Sequence, residues 1–210
     1  DFLVIGAMKC GTSTLAAQLA AQPGLFMAEP KEPNFFSDDA VWARGLDWYE
    51  SLFAAAPPGA LRGEASTHYT KLPDHPETVA RMGAVLEAPR LVYLVRDPFE
   101  RLVSHYLHLW SEGAVAGDLD AEAGRRPELV AYGRYAMQIA PYVARYGAAR
   151  IHLTSLERLE ADPGGELARV CAFLGLPGPP AWAPEADRLN ASAERVRRIP
   201  GYDLLVAHPV

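Results

Sequence analysis

The chain has 210 residues, half of them hydrophobic and 22% charged, which is typical of a globular domain and excludes a disordered chain. Its net charge of −6 and pI near 5.5 argue against nucleic-acid binding, but they leave room for a local basic pocket that binds a small anion. No apolar run approaches the ~20 residues that a membrane span needs, and the two cysteines, Cys10 and Cys171, indicate neither a disulfide framework nor a zinc site.

Predicted strands and helices alternate along the chain. In chain order they are a strand at 2–6, a helix at 12–22, a strand at 60–65, a helix at 76–87, a strand at 90–95, helices at 98–110 and 132–146, a strand at 150–154 and a helix at 165–174. Residues 111–128 are Gly- and acid-rich with weak periodicity, and we predict a surface loop there. The alternation predicts an α/β fold with a mainly parallel central sheet flanked by helices. Without a composition break or a repeat, we expect one domain over residues 1–210.

The N-terminal sequence bears on location. No basic region followed by an apolar stretch opens the chain, so no secretory signal is evident and we expect a cytoplasmic protein. The first residue is Asp rather than Met, which leaves open that the chain is part of a longer protein. With 3 Lys against 17 Arg and many Ala and Pro, the composition indicates a GC-rich bacterial genome.

A glycine-containing turn joins the first predicted strand to the first predicted helix; we call residues 6–14 the glycine loop. A turn of this kind aims free backbone N–H groups and the positive end of a helix at a bound anion. Gly6 and Gly11 have the spacing of a Walker A loop, but Thr12 stands where that motif has lysine, and the lysine of this loop is Lys9. We interpret the turn as a P-loop-like phosphate cradle, with an ordinary strand-to-helix turn as the alternative.

A second candidate anion site, the Arg96 motif (residues 96–104), follows the third predicted strand. Arg96 stands at the carboxyl end of this strand and beside a helix N-terminus, where open α/β sheets bind ligands. Ser104 lies about two turns further on, so its hydroxyl and the Arg96 guanidinium are expected to approach one phosphate. The alternative for Arg96 is that its guanidinium pairs with Asp97 or Glu100 in a helix cap. For Arg101 this pairing is the favoured interpretation.

The two motifs together resemble those of the sulfotransferases that use 3′-phosphoadenosine-5′-phosphosulfate (PAPS). Lys9-Cys10-Gly11-Thr12-Ser13-Thr14-Leu15 is similar to that family's 5′-phosphosulfate loop, and Arg96-Asp97-Pro98 with Arg101 and Ser104 is similar to its 3′-phosphate motif. Further blocks follow in the family's order: Glu32-Pro33-Asn34-Phe35-Phe36, Gly45-Leu46-Asp47-Trp48-Tyr49, Gly63-Glu64-Ala65-Ser66, Leu159-Glu160-Ala161-Asp162-Pro163 and Phe173-Leu174-Gly175-Leu176. The first two of these blocks resemble most the branch of heparan-sulfate sulfotransferases and their bacterial relatives.

The resemblance implies that a sulfonate group moves from PAPS to a hydroxyl, or less favourably an amine, of a carbohydrate or small-molecule acceptor. It implies no metal ion, and the product nucleotide is 3′,5′-ADP (PAP). PAPS binding is implied for Lys9, Cys10, Gly11, Thr12, Ser13, Thr14, Arg96 and Ser104. Lys9 is also placed to stabilise the charge that develops on the leaving phosphate.

The general base is implied by resemblance to be Glu32, in a Pro-flanked apolar segment that we expect to border a cleft. The alternative is a solvated loop carboxylate paired with Lys31. Glu29 and His68 are the other candidates for the base.

The chain departs from the close eukaryotic relatives at two places. They carry a lysine at the position of Ala65, so a second cationic contact to the sulfonate is either missing here or supplied by Lys71 or His68. Their cysteine-paired loop over the nucleotide has no counterpart in the C-terminal tail. A basic flap over the phosphates would come from Arg195, Arg197 and Arg198, with a solvated charge run as the alternative.

The sequence therefore predicts an enzyme, a single-domain PAPS-dependent sulfotransferase. A small-molecule kinase that uses ATP is one alternative, but it requires a Walker lysine where Thr12 stands. A nucleotide-binding module without catalysis is the other, and Ala65 is the residue that favours it. The sequence specifies neither the acceptor nor the oligomeric state, and residues 111–131 show no interpretable pattern.

Overall fold

The computed structural model describes residues 1–186, in which five parallel strands form one sheet. The strands are β1 (Phe2–Gly6), β2 (Leu25–Met27), β3 (Leu61–Ala65), β4 (Arg90–Val95) and β5 (Ile151–Ser155). They lie in the order β2-β3-β1-β4-β5. The predicted α/β fold with its mainly parallel sheet is confirmed. The three candidate flap residues, Arg195, Arg197 and Arg198, lie outside the described residues.

Helices fill the connections between the strands. They are α1 (Thr12–Ala20), α2 (Asp39–Trp42), α3 (Leu46–Ser51), α4 (Thr78–Val85), α5 (Pro98–Ser111), α6 (Leu119–Arg125), α7 (Glu128–Ala131), α8 (Tyr135–Tyr146), α9 (Leu156–Ala161) and α10 (Pro163–Leu174). Short 3₁₀ turns cover Thr67–Thr70, Ala148–Arg150 and Pro184–Ala186. None of the helices in residues 1–186 has both the length and the apolar character needed to cross a bilayer.

The central strands are continuous apolar runs because the sheet is covered on both faces. All five residues of β1 and the four middle residues of β4 are buried, as expected for parallel strands between layers of helices. Strands β1 and β3 approach closely where Phe2 pairs with Gly63. A Cβ at Gly63 would lie 2.3 Å from the Phe2 ring, so glycine is needed there.

Short elements and element ends depart from the sequence prediction. Strand β2 and helices α2, α3 and α9 were not predicted; they have three to six residues each, which is too few for a periodic pattern. The helix predicted from residue 76 begins at Thr78, and the helix predicted from residue 132 begins at Tyr135.

The prediction of a loop over residues 111–128 is wrong, because helix α6 lies within it. The Asp118 carboxylate caps the N-terminus of α6. Glu122 in this helix is buried and pairs with Arg125 and Arg126 at 3.5 and 3.3 Å. A short helix held by a cap and ion pairs lacks the apolar periodicity from which helices are predicted.

Candidate active site

The carboxyl ends of the parallel strands meet at one edge of the sheet, and the candidate residues follow these ends. Glu32 follows β2, Thr67 and His68 follow β3, Lys9 follows β1, and Arg96 follows β4. The strand order therefore places the candidate base on one side of the glycine loop and the Arg96 motif on the other. Because the chain continues from β1 to β2 and β3 on one side and to β4 on the other, the crevice between β1 and β4 is the topological switch point, where open α/β sheets bind ligands.

The glycine loop turns sharply between β1 and α1. Lys9 and Gly11 have positive φ angles of 69° and 88°, and the Ala7 N–H donates to the Leu94 carbonyl at 2.6 Å, which ties the loop to β4. No side chain caps the start of α1, and its first turn contains no acidic residue. The first N–H groups and the positive end of the helix dipole are therefore directed toward the loop, as in anion-binding turns.

The side chains of the glycine loop differ in exposure. Cys10, Thr12 and Thr14 are buried, whereas Lys9 and Ser13 are half-buried. Burial raises the pKa of the Cys10 thiol to about 11, so this side chain is a neutral packing group at pH 7. Lys9 and Ser13 are the polar side chains of the loop that keep access to solvent.

Helix α5 begins where predicted, and Asp97 caps it. The Asp97 carboxylate accepts hydrogen bonds from the N–H groups of Phe99 and Glu100 at 3.0 and 2.9 Å, with Pro98 in the first turn. The Arg96 guanidinium donates to the Glu100 carboxylate at 3.2 Å. An exposed i,i+4 pair of this kind contributes only about 0.3–0.5 kcal/mol, so Glu100 holds the Arg96 guanidinium only weakly.

The Arg101 side chain takes no part in the helix cap. The prediction that it pairs with Asp97 or Glu100 is therefore wrong. The guanidinium is fully buried, donates to the Leu129 carbonyl and lies 3.5 Å from His105 Nδ1. It therefore fastens α5 to α7, a helix that the sequence did not predict. Ser104, three residues further along α5, is also buried; its binding to a phosphate stays a prediction.

One tyrosine connects the two candidate anion sites. The Tyr135 hydroxyl, at the start of α8, donates to the Arg96 carbonyl at 2.7 Å and lies 3.7 Å from Cys10 Sγ. Its ring packs edge-on against Tyr93 of β4. The glycine loop and the Arg96 motif are thus held by a common contact.

The Glu32 carboxylate is held by two neighbouring residues. The Thr67 N–H donates to Oε2 at 2.8 Å, and the Thr67 hydroxyl lies 3.2 Å from both oxygens. The Lys31 ammonium donates to Oε1 at 2.5 Å, so the pair expected as the alternative is present. The side chain of Glu32 remains 30% exposed, which leaves it within reach of an acceptor.

A buried carboxyl group underlies the Glu32 segment. Glu64 is fully buried in β3, and the Ser66 hydroxyl donates to it at 2.8 Å. That hydroxyl in turn accepts from the Asn34 N–H at 3.1 Å, while the Glu32 N–H donates to the Ala65 carbonyl at 2.9 Å. Burial raises the pKa of Glu64 to about 7. The network fixes the Glu32 segment to the end of β3.

His68 lies beside the candidate base but is kept neutral. Its ring stacks on His75 with centroids 4.8 Å apart. Burial, and after it the charges of Lys71 and His75, lower the pKa of His68 to about 4. Near neutral pH the side chain therefore carries no positive charge.

Sequence reasoning missed three residues that organise this edge. Glu64 had a usable signal, since a single carboxylate in a buried strand requires hydrogen-bond donors. Thr67 and Tyr135 gave no signal in the sequence, because the residues that they contact come from distant parts of the chain.

Residues that follow the adjacent strands β1 and β4 at the switch point of a parallel sheet are typical of α/β proteins that bind ligands at this edge. Comparison with known proteins supplies the family: residues 1–196 match the family described as "Sulfotransferase domain", and the chain belongs to it. The resemblance drawn from the sequence motifs is confirmed.

Curated relatives and solved structures agree with this assignment. Heparan sulfate glucosamine 3-O-sulfotransferase 3B1 of Mus musculus is 30% identical over 183 residues, covering 83% of this chain and 45% of the relative. Heparan sulfate glucosamine 3-O-sulfotransferase 6 of Homo sapiens is 31% identical over 182 residues, covering 83% and 52%. The chain thus spans about half the length of these relatives.

A sulfotransferase from Alicyclobacillus acidocaldarius has a TM-score of 0.74 to this chain at 25% identity, covering 98% of this chain and 89% of that one. A retinol dehydratase solved with retinol and PAP shares the fold, with a TM-score of 0.50 at 19% identity and coverages of 83% and 60%.

Proposed function

We propose that the protein transfers the sulfonate group of PAPS to an acceptor hydroxyl and releases PAP. The observation that carries this proposal is the placement of the glycine loop and the Arg96 motif directly after the adjacent strands β1 and β4. PAPS has anionic groups at both its 5′ and its 3′ position, so one nucleotide can engage both turns. ATP lacks a 3′-phosphate and would leave the Arg96 motif without an anion.

The residues present suit such a donor. The half-buried Lys9 ammonium and the uncapped start of α1 suit the 5′-phosphosulfate. Arg96, whose pair with Glu100 is weak and exposed, suits the 3′-phosphate. We assign donor binding to Lys9, Cys10, Gly11, Thr12, Ser13, Thr14, Arg96 and Ser104, with the Cys10 contribution coming from its backbone.

PAPS, when bound, supplies an activated sulfonate group. Glu32 takes the proton of the acceptor hydroxyl, and Thr67 fixes the orientation of the carboxylate through its N–H and hydroxyl donors. Lys9 stabilises the negative charge that the leaving phosphate gains. His68, neutral and next to Thr67, borders the acceptor and offers a hydrogen bond rather than a charge.

For the acceptor we propose a carbohydrate hydroxyl. Relatives with 30% and 31% identity are named for the 3-O-sulfation of glucosamine in heparan sulfate. A small-molecule hydroxyl is the alternative outcome of an acceptor screen. The basic flap of Arg195, Arg197 and Arg198 and the cytoplasmic location stay predictions.

Thermal unfolding with added nucleotides tests the donor. PAP is expected to raise the Tm much more than ADP or AMP at equal concentration, because only PAP has the 3′-phosphate that Arg96 and Ser104 would bind. A ligand at about 100 times its Kd adds about 2.7 kcal/mol to the free energy of unfolding. Equal shifts with PAP and ADP would remove the case for a 3′-phosphate site.

Transfer of labelled sulfonate from PAPS to a panel of carbohydrates, in excess EDTA, tests the reaction. We expect turnover without a divalent ion, because Lys9, backbone N–H groups and hydroxyls act on the phosphosulfate. Activity that requires Mg²⁺ and ATP would instead support a kinase.

A further inference from the structure

Three consecutive residues after β3 hold the segment that carries the candidate base. The Ala65 carbonyl accepts a hydrogen bond from the Glu32 N–H at 2.9 Å. The Ser66 hydroxyl accepts from the Asn34 N–H at 3.1 Å, and the Thr67 N–H donates to the Glu32 carboxylate at 2.8 Å. The base segment is therefore fastened to the end of β3 through its backbone as well as through its carboxylate.

The backbone of this segment has an unfavourable conformation. Glu32 and Asn34 have φ angles of 61° and 55°, in the left-handed region that residues with a Cβ adopt only where their surroundings hold them in it. Pro33, between them, has no N–H to donate. The N–H groups of Glu32 and Asn34 are thus the only backbone donors of this stretch, and each is bonded to a residue that follows β3. The direction of the Glu32 side chain depends on these two bonds.

One of the two bonds depends in turn on a buried carboxyl group. The Ser66 hydroxyl has a single proton, which it donates to Glu64 Oε2 at 2.8 Å while its oxygen accepts from the Asn34 N–H. We call this chain of two hydrogen bonds the serine bridge. Both side chains, Ser66 and Glu64, are fully buried, so solvent does not replace either of them. A carboxyl oxygen accepts a hydrogen bond whether or not the group is protonated, so the serine bridge does not depend on the charge of Glu64.

We propose that Glu64 is a positioning residue for the base, an inference that rests on the proposed function. It acts through the serine bridge, which holds Glu32 in the orientation that takes the proton of the acceptor hydroxyl. Glu64 lies in β3 opposite Leu3 of β1, in a layer of the core that an apolar side chain would fill. A buried carboxyl group is costly there, and its contact with the base segment gives it a use that packing does not.

Two variants break the serine bridge at different points. Ser66→Ala removes the hydroxyl, and Glu64→Leu removes the acceptor but keeps a side chain of similar size. We expect each to lower kcat about 10–100-fold, because a misplacement of about 1 Å can cost about 10²-fold, and to leave the Kd for PAP within about twofold. Glu64→Gln, whose amide oxygen can still accept from Ser66, should retain most of the activity. The matched control is Ser111→Ala, which removes another buried hydroxyl, at the end of α5, and should leave kcat unchanged.

A double variant shows whether the serine bridge acts through the base. In a Glu32→Gln background there is no base to orient, so adding Ser66→Ala should lower kcat by less than about twofold. Hydrogen exchange supplies a readout that needs no turnover. In the nucleotide-free protein, Ser66→Ala should speed exchange at the Asn34 N–H, whereas Ser111→Ala should not.

Wild-type kcat in both Ser66→Ala and Glu64→Leu would overturn the inference. So would an equal fold loss from Ser66→Ala in the wild-type and Glu32→Gln backgrounds, because the serine bridge would then act independently of the base. Failure of the proposed function is distinguishable, since wild type would then transfer no sulfonate while the difference in hydrogen exchange persisted. Melting curves identify a variant that is unfolded at the assay temperature, and the test stands on whichever of the two variants is folded.

Discussion

Lys9 combines a functional charge with an unfavourable backbone conformation. Its φ of 69° lies in the left-handed region, which costs a residue with a Cβ about 1–3 kcal/mol. A site that needed only a tight turn would be more stable with glycine here. The presence of lysine fits the charge stabilisation that we propose for this side chain.

We predict that Lys9→Ala lowers kcat by about 10²–10³, as for removal of one donor to a developing anion, and weakens PAP binding much less. Steady-state kinetics and PAP titration measure the two effects. A loss of PAP affinity with unchanged kcat would make Lys9 a binding residue only.

Glu32→Gln keeps the size of the side chain and removes its capacity to accept a proton. We predict that kcat falls by about 10²–10⁴ while PAP affinity and Tm change little. Glu29→Gln and His68→Asn are the parallel controls, since both residues were candidates for the base. Near-normal turnover in Glu32→Gln with loss in either control would reassign the base and leave the family assignment intact.

The buried charge of Lys71 also predicts a dependence of stability on pH. The pKa falls from 10.5 to about 8 on folding, so between these values the unfolded chain binds more protons than the folded one. Stability therefore rises with pH in this window, and the penalty is complete below about pH 8.

Lys71→Met removes this penalty. We predict that its Tm at pH 7 exceeds that of wild type by several degrees, at about 2–4 °C per kcal/mol. The difference should shrink as the pH rises from 8 to 10.5. Equal melting temperatures at pH 7 would show that the folded protein solvates this ammonium well.

At the scale of elements, helix α1 and the residues just after it also bind the chain segment that follows α10. The buried Gln18 side chain donates to the Ala183 carbonyl at 2.7 Å and accepts from the Ala183 N–H at 2.8 Å. Gln22, one turn later, makes the same pair of bonds with Ala181, at 2.9 Å each. The two amides hold the segment after α10 against α1 as a neighbouring strand would.

We predict that Gln18→Leu destabilises the fold, because the N–H and carbonyl of Ala183 lose their partners at about 1–3 kcal/mol for each group left unsatisfied. Gln18→Glu should also destabilise the fold at pH 7, because a carboxylate at this fully buried position would lose its hydration and face the Ala183 carbonyl. Urea unfolding measures both, and limited proteolysis should show earlier cleavage near residue 183 in Gln18→Leu. Identical midpoints for wild type and Gln18→Leu would contradict the prediction.

Elements with strong local signals were predictable, and those that depend on distant partners were not. Strands β1 and β4 are long apolar runs, and their predicted bounds match. Helix α5 was also placed correctly, because Asp97 and Pro98 mark its start. By contrast, β2 has three residues, and the partners of Gln18 lie 165 residues away.

At the scale of the whole molecule, the order of the strands gathers residues from most of the chain at one edge. Glu32 and Arg96 are separated by 64 positions in sequence, yet they follow strands of one sheet with only β3 and β1 between theirs. The sequence indicated both turns because each has its own local motif. It could not indicate the contacts between them, which arise only once the sheet is assembled.

The shared contact of Tyr135 has a consequence for selectivity. The Tyr135 hydroxyl contacts both Cys10 and Arg96. It therefore couples the position of the glycine loop to that of the Arg96 motif and helps to keep the distance between them constant. On the proposed function, the protein would select a nucleotide by the distance between its two charged groups rather than by the strength of either contact. An adenosine that carries its second phosphate on the 2′ rather than the 3′ oxygen has the same charge, but its two phosphates are separated by a different distance. On the proposed function, such a nucleotide would bind weakly.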